Sequence, residues 1–315
     1  MDIKEKCCFV FSSCKQKLTL YAPYLIKEGY KVLSLYKYDN YISIGLGQLI
    51  KKKFGKKIKR KYNDKLTNIH ETLIVFDSMV DIEGLKWIKN NNPKVRCVFA
   101  FWNPIESTGL DVEEIKRIGY DVWSYGTEQC EKYKVKQNYS FFCKSMYPQD
   151  DINDLEKIYD ICYVGKAKGR LDKIKRIIKD NNWEAYKWFL YITADHFWQR
   201  FNKKEYNKTL KYISVQRIQA SAKAILEIVP SQSVDITLRA IDAMVLKRKL
   251  ITDSKNAVNM DYYNKNNVFV IGSDDSGSLE DFLDLPYVPV DKEIVEQYEI
   301  ENWIDRIIND KPVNY

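Results

Sequence analysis

Residues 224–254 read AILEIVPSQSVDITLRAIDAMVLKRKLITDS. The run 224–229 is apolar apart from Glu227, has the length of a strand, and is closed by Pro230. Ser231, Gln232 and Ser233 then form a small polar loop. The spacing of apolar residues in 236–244, ITLRAIDAM, predicts a helix, and KLITD at 249–253 a second buried strand. Strand, helix, strand, with near-continuous apolar strands, is the unit of a parallel sheet covered on both faces.

The same alternation extends outward. Upstream, YDICYVG (159–165) predicts a strand, GRLDKIKRIIKDN (169–181) a helix, KWFLYIT (187–193) a strand and 211–222 a helical lead into the quoted block. Downstream, NVFVIGS (267–273) predicts another strand, and KEIVEQYEIENWIDRIIND (292–310) one amphipathic helix. Nearer the start, CCFVFSS (7–13), YKVLSLY (30–36), ETLIVFDS (71–78), KVRCVFAFWNP (94–104) and YDVWSY (120–125) predict strands. Between and after them QKLTLYAPYLIKE (16–28), a basic stretch reaching residue 60, DIEGLKWIKNN (81–91), DVEEIKRIG (111–119) and TEQCEKYKV (127–135) predict helices. The polar stretch 145–158, with Pro148, reads as a linker. The chain is therefore expected to be α/β with two domains, 1–147 and 148–315, the last helix of the second packing back across the junction around Trp303.

Charge narrows the function classes. Lys and Arg number 51 and Asp and Glu 43, a formal net charge of +8. Residues 51–61, KKKFGKKIKRK, hold eight basic residues and no acid, so the rest of the chain balances to zero. A uniformly basic nucleic-acid coat is excluded. Ile50, Phe54 and Ile58 stand at i, i+4 and i+8 in this stretch. Basic residues with one apolar stripe suit an anionic membrane surface over residues 44–61, at ~1 kcal/mol per basic residue near the surface. A solvated face is the plain alternative, and nucleic acid a weaker one, since only Phe54 and Tyr62 are interleaved with the charge.

The seven cysteines are odd in number, without a CxxC, and several lie in apolar strand runs. They read as reduced core thiols in a cytoplasmic protein. His70 and His196 are the only histidines, which excludes a multi-histidine metal site. The start, MDIKEKCCFVFSSCK, reads as a first strand and not as a signal peptide.

Two stretches are candidates for chemistry. Gly165-Lys166-Ala167-Lys168-Gly169-Arg170 joins a strand to a helix, where backbone N–H groups and the helix dipole favour an anion and Lys166 or Arg170 add charge. It is neither a Walker A loop nor a dinucleotide fingerprint, and an ordinary turn with solvated basic residues is the alternative. In the opening block, Ser231, Gln232 and Thr237 at the helix start can donate to a diphosphate. Arg239 can pair with phosphate in a bidentate way, and Asp242 can accept the two hydroxyls of a ribose or sugar. A capped amphipathic helix whose Arg239 and Asp242 form a surface pair is the alternative.

With these residues in view the sequence resembles the sugar-nucleotide-binding region of GT-B glycosyltransferases. The matching parts are Pro230, Ser231-Gln232-Ser233, Asp242-Ala243-Met244 and Lys249-Leu250-Ile251-Thr252. More narrowly it is similar to small GT-B-like proteins of bacterial lipopolysaccharide and capsule clusters, through FWNP (101–104), YDVWSYGTEQCEKYKV (120–135), YDICYVGKAKGR, AILEIV, TLR, and KLITDS with the following DYYNKNNVFVIG. It departs in having Asp242 where Glu is usual, and Val234-Asp235 where a glycine turn is expected.

The resemblance implies two Rossmann-like domains facing a central cleft. It implies transfer of a sugar from a nucleotide-sugar donor to a surface-glycan acceptor, lipid-linked in some pathways, by a protein on the inner face of the cell membrane. The donor site would hold Gly165, Lys166, Arg170, Ser231, Gln232, Thr237, Arg239 and Asp242. With no D-x-D motif, neither metal nor other cofactor is expected, and the basic residues would neutralise the departing diphosphate. Asp77, just past the apolar run LIVF, is the first candidate for the acceptor base and Glu106 the second; a turn or helix cap is the plain reading of Asp77. A non-catalytic protein that binds a nucleotide sugar or a partner enzyme is the alternative function.

Overall fold

The computed structural model describes residues 2–14, 20–37, 61–148, 155–167, 170–194, 206–229, 237–273 and 277–313. The basic stretch 51–60, Ser231, Gln232, the Val234-Asp235 turn and His196 lie outside the described residues.

The chain divides into two compact units, Met1–Tyr139 with Ile300–Tyr315, and Ser140–Glu299. The first unit is built on β1 (Cys7–Phe11), β2 (Lys31–Ser34), β3 (Thr72–Phe76), β4 (Cys97–Ala100), β5 (Tyr120–Ser124) and β6 (Lys136–Gln137). These pair side by side, all parallel, in the order β2-β1-β3-β4-β5-β6. Cys8 stands opposite Lys31 on one side and Leu73 on the other. Every residue of β1 and β4 is buried, which is why these strands read as unbroken apolar runs.

The helices of this unit are α1 (Ala22–Lys27), α2 (Ile82–Asn91), α3 (Ile105–Thr108), α4 (Val112–Ile118) and α5 (Thr127–Tyr133). Two of them start at aspartates that satisfy orphan N–H groups. Asp81 accepts from the Gly84 N–H at 2.8 Å, and Asp111 from those of Glu113 and Glu114. Gly119, at φ 97°, ends α4 in the left-handed conformation that a side chain would strain.

The second unit holds β7 (Tyr159–Lys166), β8 (Trp188–Thr193), β9 (Ala222–Glu227), β10 (Lys249–Thr252) and β11 (Val268–Val270). They form a parallel sheet in the order β11-β10-β9-β7-β8. Its helices are α6 (Arg170–Asp180), α7 (Tyr212–Ala220), α8 (Leu238–Val245), α9 (Leu279–Asp284) and α10 (Lys292–Gln297). On one face Ile161, Tyr163, Ala224, Leu226, Ile251 and Phe269 pack with Ile174 of α6 and Phe282 of α9. Helices α7 and α8 touch β7, β9 and β10.

The last segment differs from the expected single helix. It breaks at Tyr298–Glu299 into α10 and α11 (Ile300–Ile308). The Tyr298 carbonyl accepts the Phe142 N–H at 2.9 Å, Glu299 bridges to Phe142, and the fully buried Tyr298 donates its hydroxyl to Asp261 at 2.5 Å. These tertiary partners replace the helical ones at the point where the chain returns to the first unit. There Ile300, Trp303, Ile304 and Ile307 are buried at i, i+3, i+4 and i+7. Trp303 stacks on Phe76 at 5.7 Å and donates its indole N–H to the Tyr139 carbonyl. Burying each such side chain contributes about 1.5–3 kcal/mol. The short strand β6 and the helix α9 were not expected from the sequence. The cysteines other than Cys14 are buried.

Candidate functional site

Renumbered from its first strand, the second sheet runs 2-1-3-4-5. In such a sheet the crevice for a ligand opens where successive connections leave in opposite directions, at the carboxyl ends of the first and third strands. Here that is the end of β7, at Gly165 and Lys166, beside the end of β9, at Glu227.

Helix α8 begins against this point. Thr237 is its N-cap, and its hydroxyl oxygen accepts the Arg239 N–H at 3.1 Å. The same hydroxyl donates to Glu227 Oε1. Glu227 Oε2 accepts the Thr252 hydroxyl at 2.6 Å, and Thr252 Oγ1 in turn accepts the Ser254 N–H at 3.0 Å. Glu227 is 1% exposed, and burial pushes its carboxyl above the usual carboxylate range, against the two threonine hydroxyls and the Arg239 charge.

The Arg239 guanidinium lies over the Tyr163 ring, 4.8 Å from its centre, and its Nη2 donates to the Val164 carbonyl at 3.1 Å. Its buried Nε has no partner among the described residues. A Cβ on Gly165 would overlap Arg239 Nη2, so the glycine gives the guanidinium its place. A fixed cation and a helix N-terminus thus meet at the ends of β7 and β9, an arrangement suited to an anion.

The sequence-predicted residues divide between this spot and other places. Gly165, Thr237 and Arg239 are together in it, with Lys166 ending β7 and Arg170 beginning α6. Ser231 and Gln232 are outside the described residues. Asp242 is one turn further along α8 and only 2% exposed, so the alternative of an Arg239–Asp242 surface pair does not hold. Its Oδ1 accepts the hydroxyls of Tyr147 and Tyr212, each at 2.8 Å, and Tyr212 also reaches Oδ2 at 2.8 Å. Burial raises its carboxyl to about 6, opposed by Tyr147, Tyr212, Gln216 and the charge of Arg239. Glu227 escaped the sequence reading; its signal is a single acid inside the apolar run AILEIV.

The first sheet, in the order 2-1-3-4-5-6, has its own crevice at the ends of β1 and β3. Ser12 and Ser13, both fully buried, follow β1, and Asp77 follows β3. Asp77 Oδ2 accepts the N–H groups of Trp102 at 3.3 Å and Asn103 at 2.9 Å, and the Asn103 amide reaches both oxygens. At 6% exposure, burial lifts its carboxyl to about 6, with these donors pulling the other way. Asp77 is no helix cap, since Asp81 caps α2. Glu106 is at the surface, its carboxylate engaged by Lys132 at 3.0 Å and the Tyr133 hydroxyl at 3.2 Å. Its own backbone N–H and Lys132 hold it below the usual carboxylate range.

No family model and no curated protein matches the sequence. Solved structures do match over nearly the whole chain. A glycosyltransferase from Rickettsia africae ESF-5 is 10% identical, with a TM-score of 0.50, covering 96% of this chain and 97% of its own. A UDP co-structure of MnaA from S. aureus is 12% identical at a TM-score of 0.48, covering 96% and 95%. A putative UDP-N-acetylglucosamine 2-epimerase from Listeria monocytogenes is 10% identical at 0.46, covering 96% and 94%. The likeness to the first, with the two parallel sheets, establishes the fold: α/β and GT-B-like, with two Rossmann-like units.

Proposed function

We propose that the protein is a glycosyltransferase that takes a sugar from a nucleotide-activated donor, holding the diphosphate at the end of β7 and the start of α8. The observation that carries this reading is Arg239, fixed over Tyr163 and against Gly165 with its Nε unspent, at the switch point of a sheet in a GT-B-like fold. Arg239 would stabilise the diphosphate as the glycosidic bond to it breaks, supported by the N–H groups of α8 and by Lys166 and Arg170, without a metal. Asp242 would take a ribose or sugar hydroxyl by exchanging a tyrosine hydroxyl for it. Asp77, a buried carboxyl raised to about 6, would accept the proton of the acceptor hydroxyl as it attacks. Glu106, committed to Lys132 and Tyr133, would have no part in the proton transfer.

The acceptor in this reading is a surface glycan, lipid-linked, met at the cytoplasmic face of the membrane. Its support is the basic segment 51–61 with its apolar stripe. The described residues flanking it, Lys37 and Lys61, meet through a 2.9 Å backbone hydrogen bond, beside the Tyr36–Tyr62 bridge. Among the described residues no helix is long and apolar enough to cross a membrane.

Turnover of a nucleotide-sugar panel, with thermal shifts by the matching nucleoside diphosphates, tests the reading. Arg239→Ala is expected to abolish both responses and keep the fold. Undiminished turnover in that variant would remove the role of Arg239. Binding without turnover in the native protein would favour a non-catalytic sugar-nucleotide protein, the reading that the enclosed carboxylate of Asp242 favours.

A further inference from the structure

A carboxylate at the end of a buried strand is costly to ionise unless donors meet both oxygens. At Glu227 the donors are two threonine hydroxyls, and each passes on a second bond. One chain runs from the Arg239 N–H to Thr237 Oγ1 to Glu227 Oε1. The other runs from the Ser254 N–H to Thr252 Oγ1 to Glu227 Oε2. A hydroxyl has one proton. By taking that proton, Glu227 leaves a lone pair of each threonine free to cap a backbone N–H. The carboxylate thereby sets the hydroxyl orientation that makes Thr237 an N-cap, and ties the start of α8 to the ends of β9 and β10.

We infer that Glu227 is a positioning residue for the anion site, acting through Thr237 to hold the N-terminus of α8 and Arg239 at the end of β7. The inference rests on the proposed diphosphate role of Arg239. It requires that Glu227 present two acceptors. Glutamine has the same shape but only one acceptor oxygen. Its amide would donate to one threonine, compete with the backbone N–H for that hydroxyl, and turn its proton away.

The experiment measures binding of inorganic pyrophosphate, and of uridine, guanosine, adenosine and thymidine diphosphates, by calorimetry at a temperature where every variant is folded. Glu227→Gln is expected to bind at least tenfold more weakly than the native protein. Thr237→Val should match that loss, and Thr237→Ser should restore what valine loses. Arg96→Ala, in the first unit, should melt earlier with unchanged affinity, which separates lowered stability from lost aim. If Glu227→Gln melts earlier but binds within threefold of the native protein, Glu227 is a structural clamp only and the inference falls. If Glu227→Gln does not fold, equal affinity of Thr237→Val and the native protein overturns it. If the native protein binds none of these probes, the diphosphate reading itself fails, an outcome distinct from either.

Discussion

Gly165 and Arg239 occupy complementary space: the hydrogen of the glycine faces the guanidinium, and a methyl group there would overlap Nη2 and press on the Tyr163 hydroxyl. Gly165→Ala should therefore push Arg239 off Tyr163 and out of its bond to the Val164 carbonyl. Nucleoside diphosphate affinity is expected to fall tenfold or more in calorimetry, at a stability cost of about 1–3 kcal/mol. An alanine variant that binds as the native protein does would show that the position of the guanidinium is immaterial.

The alternation of apolar runs and amphipathic stretches revealed both parallel sheets, because strands buried on both faces carry few polar residues to blur them. Thus CCFVF, LIVF and the run at 224–229 all became central strands. The break at Tyr298 was not legible. It is imposed by Phe142 and Asp261, far away in sequence, and local periodicity runs straight through it. β6, two residues long, is too short for any pattern. In the proposed site, the meeting of Gly165 and Thr237 with Arg239 was legible from turn chemistry, since both mark the ends of elements. The engagement of Asp242 by Tyr147 and Tyr212 was not, because those tyrosines stand 95 and 30 residues away.

Tyr212 donates to both oxygens of Asp242 and so competes with any ligand hydroxyl for them. Tyr212→Phe should lower stability by about 1–3 kcal/mol, the cost of an under-satisfied buried carboxylate. If Asp242 takes a ribose hydroxyl, the variant should gain a larger thermal shift than the native protein from a ribonucleoside diphosphate, and no such gain from the 2′-deoxy form. Equal gains from the two sugars would remove Asp242 from ribose recognition.

Arg96 ties the final helix down. Its Nε donates to Asp121 at 2.8 Å, and its Nη1 to the carbonyls of Ile307 and Ile308 at 2.8 and 3.0 Å, the open C-terminal end of α11. Lys136 completes the group through Asp310 at 2.6 Å. Arg96→Ala should destabilise the protein by about 1–3 kcal/mol in urea melts and speed hydrogen exchange in 300–308. Lysine should recover little, since it lacks the planar fork that serves a carboxylate and two carbonyls together. Full recovery by lysine would mean that charge alone matters.

The buried carboxyls set the pH response. Asp242 rises from an ordinary 3.8 to about 6 because burial disfavours its charged form. Between those values the folded protein binds the proton and the unfolded chain does not, so the contribution of Asp242 is fully present below about pH 4 and lost as pH climbs through 6. The loss is of order 3 kcal/mol. Asp77 and Glu227 are raised in the same direction, so the native protein alone does not separate them. Asp242→Asn does: asparagine keeps an acceptor for the tyrosines and does not ionise. The stability of this variant relative to the native protein should climb from pH 4.5 to about 6 and level off above it in denaturant melts, while Asp77→Asn in the same background adds a second, independent rise. A difference between Asp242→Asn and the native protein that stays flat over that range would mean that Asp242 titrates as an ordinary carboxyl, and that its tyrosine partners offset the whole cost of its burial.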